Sequence, residues 1–309
     1  IVRVRLTGGE PLFRKDIVEV AARIASTPGI GEVCATTNGH QLPQLAPPLR
    51  QAGLRSLNIS LDTLDAERFA RMSGGRGEVA RVVEGIDAAL LFPQRAMGMF
   101  AIKDLELRTS CFTAYNEWVA DFCAGSNGRL AAVAVLATVY EPEKTRDYLA
   151  HVKSLGFRLV QLPSGLRGRS YGDAELEPVW DAIEESGLVA AIHTSETPET
   201  NGPGGLGTFL AQTTQPFRKL WANLVFSGVL ERHPDLRVLF AEGGIGWVPT
   251  ALADADRIHA KFAHYLNPHL PRPPSEYWHR QCYATFMEDP RGIEQIDHIG
   301  PDRVMWSSD

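Results

Sequence analysis

Three residues in the second half of the chain have the chemistry of a metal centre. His193 ends the apolar run VAAIHT, Glu242 ends VLFAEGG and Asp309 ends VMWSSD. A neutral imidazole and carboxylates on neighbouring strands make a hard-to-borderline divalent site, of the kind that takes zinc or manganese. Such an ion polarises a carbonyl or activates water. Asp309 can also handle a proton, and Glu242 has two readings. It either ligates the ion or holds a proton, or it caps the Gly243-Gly244 turn that follows it. The other histidines, His233, His264, His269 and His298 among them, stand in loop or helix-end contexts such as ERHPDL and read as surface groups.

A second set of polar strand ends lies near the start of the chain. RLTGGEPL places Gly8, Gly9 and Glu10 after a short apolar run. The glycines let the backbone turn and come close to a ligand, although such a turn is often purely structural. Glu10 offers a carboxylate that suits a ligand's amino group. Thr36-Thr37-Asn38-Gly39, then Ser60 and Asp62, end the next two strand-like runs.

Positioning these groups requires alternating strands and helices. Residues 1–85 read as βαβαβα: strands at 1–6, GEVCATTNG and SLNISLD, and helices at FRKDIVEVAARIAS, at QLAPPLRQAGL with a proline break, and at LDAERFARM, with Asp65 as N-cap. In the first helix Ile17, Val20, Ala21 and Ile24 fall on one face. Residues 86–309 continue the alternation through IDAALLFP, AAVAVLA, RLVQLP, VAAIHTSE, RVLFAEGG, CYATF and RVMWSSD. Seven such strands predict an α/β chain whose larger part is a (β/α)8-type barrel lacking its first strand. That place is expected to be empty or filled by a strand from residues 1–62. Ligands of such sheets sit at the C-terminal strand ends, where all the polar groups above fall.

The 309 residues carry a net charge of −6 and 22% charged side chains, with no basic footprint for nucleic acid. No apolar run reaches the length of a membrane helix, and no signal peptide is expected. The four cysteines, Cys34, Cys111, Cys123 and Cys282, are scattered and lack CxxC or CxxxCxxC spacing. They read mostly as buried thiols in a reducing, cytoplasmic setting. The chain opens inside a strand at Ile1 and stops at Asp309, so it is expected to be a fragment, truncated at the C-terminus.

Two resemblances sharpen this. VRLTGGEPL, TTNG and GLRSLNISLDTLD, in that order, resemble the radical S-adenosylmethionine GTP 3',8-cyclase of molybdenum cofactor biosynthesis. The resemblance implies Gly9 and Ser60 at S-adenosylmethionine, and Arg5 and Thr36 at GTP. That family holds a 4Fe-4S cluster on a CxxxCxxC loop and carries a second cysteine set near its C-terminus. This chain has neither, so cluster and cyclase activity are not expected of it. YNEWVADFC, GFRLVQLP, PVWDAIEESGLVAAIHT, NLVFSGVLERHPDLRVLFAEGGIGWVP and DRVMWSSD resemble the amidohydrolase-related family, which includes aminocarboxymuconate-semialdehyde and resorcylate-type decarboxylases. That resemblance implies His193 and Asp309 as metal ligands, with further ligands from an (E/D)xH pair on the absent first strand. Many relatives carry His where this chain has Glu242. The two texts are expected to meet within residues 84–93, giving a partial radical-SAM-like segment at 1–85 and an amidohydrolase-related barrel at 86–309. The expected activity is metal-dependent hydrolysis, or non-oxidative decarboxylation, of a small carboxylic acid. A radical cyclase or a catalytically dead chimera are the alternatives. The expected partner is a small-molecule carboxylate, not nucleic acid or a membrane, and a homo-oligomer is compatible with this reading.

Overall fold

The computed structural model describes residues 3–7, 9–61, 64–72, 78–84, 88–93, 96–166, 168–193, 215–287 and 289–307. Its internal contacts separate two units, one built on Ile1–Leu91 and Val119–Ala131, the other on Phe92–Trp118 and Ala132–Ser307.

In the first unit, β1 (Arg3–Leu6), β2 (Glu32–Thr37) and β3 (Leu54–Ile59) pair in parallel, in that order. Between them run α1 (Ile17–Ala25) and α2 (Leu42–Gln51). Ile17 and Ala21 of α1, Val33 and Ala35 of β2, and Leu42 and Leu49 of α2 close a common core with Leu12 and Leu54. Helix α2 runs through Pro47 and Pro48, so the break expected there does not occur. Asp65 caps α3 (Ala66–Met72) as expected, its Oδ1 accepting from the Arg68 N–H at 2.6 Å. After α4 (Val79–Glu84), the short β4 (Ala89–Leu91) pairs with β5 (Leu130–Ala132).

In the second unit, α5 (Leu105–Ala124) begins and β6 (Ala134–Val135) opens a parallel sheet. The elements that follow are α6 (Thr145–Ser154), β7 (Leu159–Leu162), α7 (Glu177–Ser186), β8 (Val189–His193), α8 (Gln215–Phe226), α9 (Val229–Arg232) and β9 (Arg237–Ala241). Then come α10 (Val248–Phe262), α11 (Pro274–Gln281), β10 (Cys282–Phe286), α12 (Pro290–Glu294), α13 (Ile296–Ile299) and β11 (Val304–Trp306). The sheet order is β6 to β11 without a crossing, every pair parallel. Strands β1–β3 form a sheet of their own and do not join these six.

The expected strand AAVAVLA is two pieces, β5 pairing with β4 and β6 with β7. At β6 the Leu136 N–H donates to the Gln161 carbonyl, so the polar groups of Val135 point the other way. The Asn116 side chain of α5 meets them: its Oδ1 accepts from the Val135 N–H at 2.9 Å and its Nδ2 donates to the Val135 carbonyl at 3.2 Å. Asn116 thus stands in for a neighbouring strand, satisfying backbone groups that would be costly to bury unpaired.

Inside the sheet, Val133, Ala191 and Leu239 pack with Phe92, Leu159, Val189 and Tyr283. Pairing of Ala191 with Leu239, and of Tyr283 with Leu239, puts these side chains at one level, as in the interior layer of a barrel. Because side chains alternate along a strand, His193, two residues beyond Ala191, faces the same interior.

Candidate metal site at the strand ends

Helix α7 stops at Gly187, whose left-handed backbone (φ 69°) turns the chain into β8. His193 is the last residue of β8 and pairs with Ala241 of β9. It is 4% exposed. Its Nε2 lies 3.0 Å from Glu242 Oε2, and Glu242 is itself largely buried. Yet neither ring nitrogen has a hydrogen-bond partner among the described residues, because the contact to Glu242 lacks hydrogen-bond alignment. The Phe92 ring packs against the imidazole with centroids 5.2 Å apart. Two donors each about 2.1 Å from a common ion, and roughly at right angles, stand about 3 Å apart. The spacing and the unfilled nitrogens fit a divalent ion held by His193 and Glu242. Among the described residues no third His, Cys, Asp or Glu joins them in a cluster. Asp309, the other expected ligand, lies outside the described residues.

Glu242 is in the left-handed region (φ 62°), which side chains other than glycine rarely adopt. Its N–H donates to Thr285 Oγ1 at 2.7 Å. The glycines after it serve close packing: a Cβ on Gly243 would lie 2.1 Å from the Phe217 ring. The turn is capped by Asp289, not by Glu242. Asp289 Oδ2 accepts from the N–H groups of Ile245 (2.7 Å) and Gly246 (2.6 Å), and Oδ1 from Gly292 (2.9 Å) at the start of α12. Glu242, Gly244, Trp247, Met287 and Asp289 border a cavity of about 240 Å³ beside this turn. Neither Thr285 nor Asp289 was expected from the sequence. Their contacts to Glu242, Ile245 and Gly246 span more than 40 positions, for which linear spacing carries no signal.

His233 is not a surface group. It is 2% exposed, with Nδ1 3.1 Å from Glu184 Oε2 and Nε2 3.1 Å from Glu177 Oε1. Arg232 grips Glu177 with two bonds, of 2.6 and 2.8 Å, and this pair, more than burial opposes it, holds the Glu177 carboxyl below its usual range. Of the cysteines, Cys34 and Cys282 are buried, but Cys111 and Cys123 are partly exposed. Burial pushes the Cys282 thiol far up, which makes it inert.

At the strand ends of the first unit, Arg5 Nη1 donates to Thr36 Oγ1 at 3.3 Å, bringing together the two residues expected at GTP. Gly9 and Ser60 are exposed, and nothing lies within 4 Å of where a Gly9 Cβ would stand. Glu10 accepts from the Leu12 N–H (3.0 Å), Thr37 Oγ1 (2.6 Å) and the Asn38 N–H (2.6 Å), tying β1 to β2. The cysteines of this chain do not fit an iron–sulfur cluster, since none of the four stands at cluster spacing from another.

Parallel strands with helices between them, and a His–carboxylate pair at their C-terminal ends, make up an α/β fold of the barrel type. The chain belongs to the amidohydrolase family, whose model matches residues 69–309. Residues 1–95 match the radical SAM superfamily. Among solved structures, the chain is similar to an amidohydrolase of Mycobacterium avium subsp. paratuberculosis (21% identity, TM-score 0.61, 77% of this chain and 63% of that one). It is similar to 5-carboxyvanillate decarboxylase of Sphingomonas paucimobilis (19%, TM-score 0.58, 100% and 88%). A third likeness is to a dihydroxybenzoic acid decarboxylase of Polaromonas, solved with manganese and an inhibitor (19%, TM-score 0.57, 89% and 83%). Its early part is 59% identical to GTP 3',8-cyclase of Pseudomonas putida over 87 residues, 28% of this chain and 26% of that one. The chain thus spans about a quarter of the cyclases it matches. No helix among the described residues is long and apolar enough to cross a membrane.

Proposed function

We propose that the barrel unit carries out divalent-metal-assisted chemistry on a small carboxylic acid: hydrolysis, or non-oxidative decarboxylation of an aromatic or unsaturated acid. The observation that carries this is the buried His193, its ring nitrogens without hydrogen bonds to the described residues and its Nε2 3.0 Å from Glu242. Family membership and the decarboxylase likenesses support it. When bound, zinc or manganese would polarise the substrate's oxygens or a water. In this reading His193 and Asp309 hold the ion. Glu242 completes its shell or keeps a proton beside it, and Asp309 also moves a proton. Phe92 packs on the His193 ring, and Trp247 borders the cavity beside Glu242.

The test is metal analysis of the purified chain, followed by carbon dioxide release from 2,6-dihydroxybenzoate and 5-carboxyvanillate with added Mn²⁺. His193→Ala should abolish both metal retention and turnover. A chain that retains no zinc or manganese and turns over nothing with Mn²⁺ added refutes the proposal.

A second reading concerns the first unit alone, and its high identity to the cyclases favours it. Gly9 and Ser60 would contact S-adenosylmethionine and Arg5 and Thr36 GTP, as binding without radical chemistry. Equilibrium dialysis with S-adenosylmethionine or GTP measures it, and no binding at millimolar concentration removes it.

A further inference from the structure

We propose that Thr285 is a positioning residue that holds Glu242 in the backbone conformation from which its carboxylate reaches His193. The inference rests on the metal reading above for its purpose, but not for its geometry. His193 and Ala241 are paired across β8 and β9, and residues paired in this way share a face of the sheet. Side chains alternate along a strand, so an extended residue 242 would point to the opposite face, away from His193. Glu242 escapes this because its φ is 62°. The left-handed residue turns the carboxylate back until Oε2 lies 3.0 Å from His193 Nε2.

A left-handed glutamate persists only where its surroundings hold it. Two contacts from the β10 side do so here. Thr285 Oγ1 accepts from the Glu242 N–H at 2.7 Å, at the point where β9 ends. Asp289 Oδ2 accepts from Ile245 and Gly246 and secures the far side of the turn. Thr285 is buried, 7% exposed, and β10 is fixed to β9 through Ala284 opposite Phe240. Of the two, only Thr285 bonds the residue whose direction matters. Removing its oxygen frees the peptide plane that leads into residue 242, and the left-handed conformation loses the contact that holds it against its intrinsic cost.

The experiment compares the full chain with Thr285→Val, which removes the acceptor, and Thr285→Ser, which keeps it. Crystal structures without metal read the geometry directly. In the Val variant residue 242 should become extended and its carboxylate leave His193; in the Ser variant both should stay. Calorimetry with Mn²⁺ alone reads the consequence. The Val variant should bind about 10- to 100-fold more weakly, as for other residues that orient a ligand, and the Ser variant like the parent. A Val variant that keeps the positive φ and the His193 contact overturns the inference, whatever the metal does. His193→Ala binding Mn²⁺ like the parent would instead overturn the metal reading and leave the geometric test to decide this one. If the Val variant does not fold, Thr285→Ala carries the same comparison.

Discussion

At the residue scale, the two glutamates that matter most are held in opposite ways. Glu177 is stabilised as an anion by Arg232 and His233, which lowers its pKa relative to the unfolded chain. A depressed carboxylate contributes stability above the unfolded value, and that contribution is lost as pH falls through the folded one. Because the pair is partly exposed and screened by water, Glu177→Gln should cost about 0.5–1 kcal/mol near neutral pH, with the deficit narrowing below about pH 4. Urea unfolding of both chains across pH 3–8 measures it, and a deficit that is constant with pH contradicts it. Glu242, by contrast, sits in a backbone conformation that penalises a side chain. Glu242→Gly should leave stability unchanged or raise it by up to about 1 kcal/mol, while weakening Mn²⁺ binding. Thermal melting and calorimetry on the same sample check the two halves together. A clear loss of stability would mean that the Glu242 side chain supports the fold.

At the element scale, what was legible in the sequence was the periodic part. Apolar runs ending in His, Glu or small polar residues located β2, β8 and β9 and the ends that carry His193 and Glu242. Pairing of β8 with β9 then brought the two strand ends together, and the left-handed turn at Glu242 brought its carboxylate to His193. What was illegible depends on register between strands. Thr285 reads as one more polar strand residue until β10 is laid beside β9. ERHPDL looks like a surface turn until α7 supplies Glu177 and Glu184 to both sides of His233. The AAVAVLA run looked continuous because its apolar pattern does not show that its two halves take different neighbours. The turn after β9 is the most constrained piece: Gly243 faces the buried Phe217 ring, which packs on Phe240 and Trp247. A methyl group there has to displace an aromatic ring from a close-packed core. Gly243→Ala should cost about 1–3 kcal/mol and shift the near-ultraviolet circular dichroism of the tryptophans. A variant with unchanged melting temperature would show that the ring can yield.

At the scale of the whole molecule, the chain has two units and each closes a core of its own. That division makes a measurable prediction, because all six tryptophans (118, 180, 221, 247, 278 and 306) belong to the barrel unit. Tryptophan fluorescence therefore reports that unit, whereas far-ultraviolet circular dichroism reports helices of both. Domains with separate cores need not unfold in one transition. Leu49→Ala removes a fully buried side chain from the small core between α1, α2 and β2, at a cost of about 2–5 kcal/mol. It should move part of the dichroism transition to lower urea and leave the fluorescence transition in place. Leu162→Ala, equally buried at the end of β7 beside β8, should do the reverse. It should also weaken Mn²⁺ binding, because β7 supports the strand that carries His193. Leu49→Ala should not, since the His193–Glu242 pair lies wholly in the barrel unit. Coincident shifts of both probes in both variants would show a single cooperative unit. A loss of Mn²⁺ affinity in Leu49→Ala would mean that the site depends on the first unit as well.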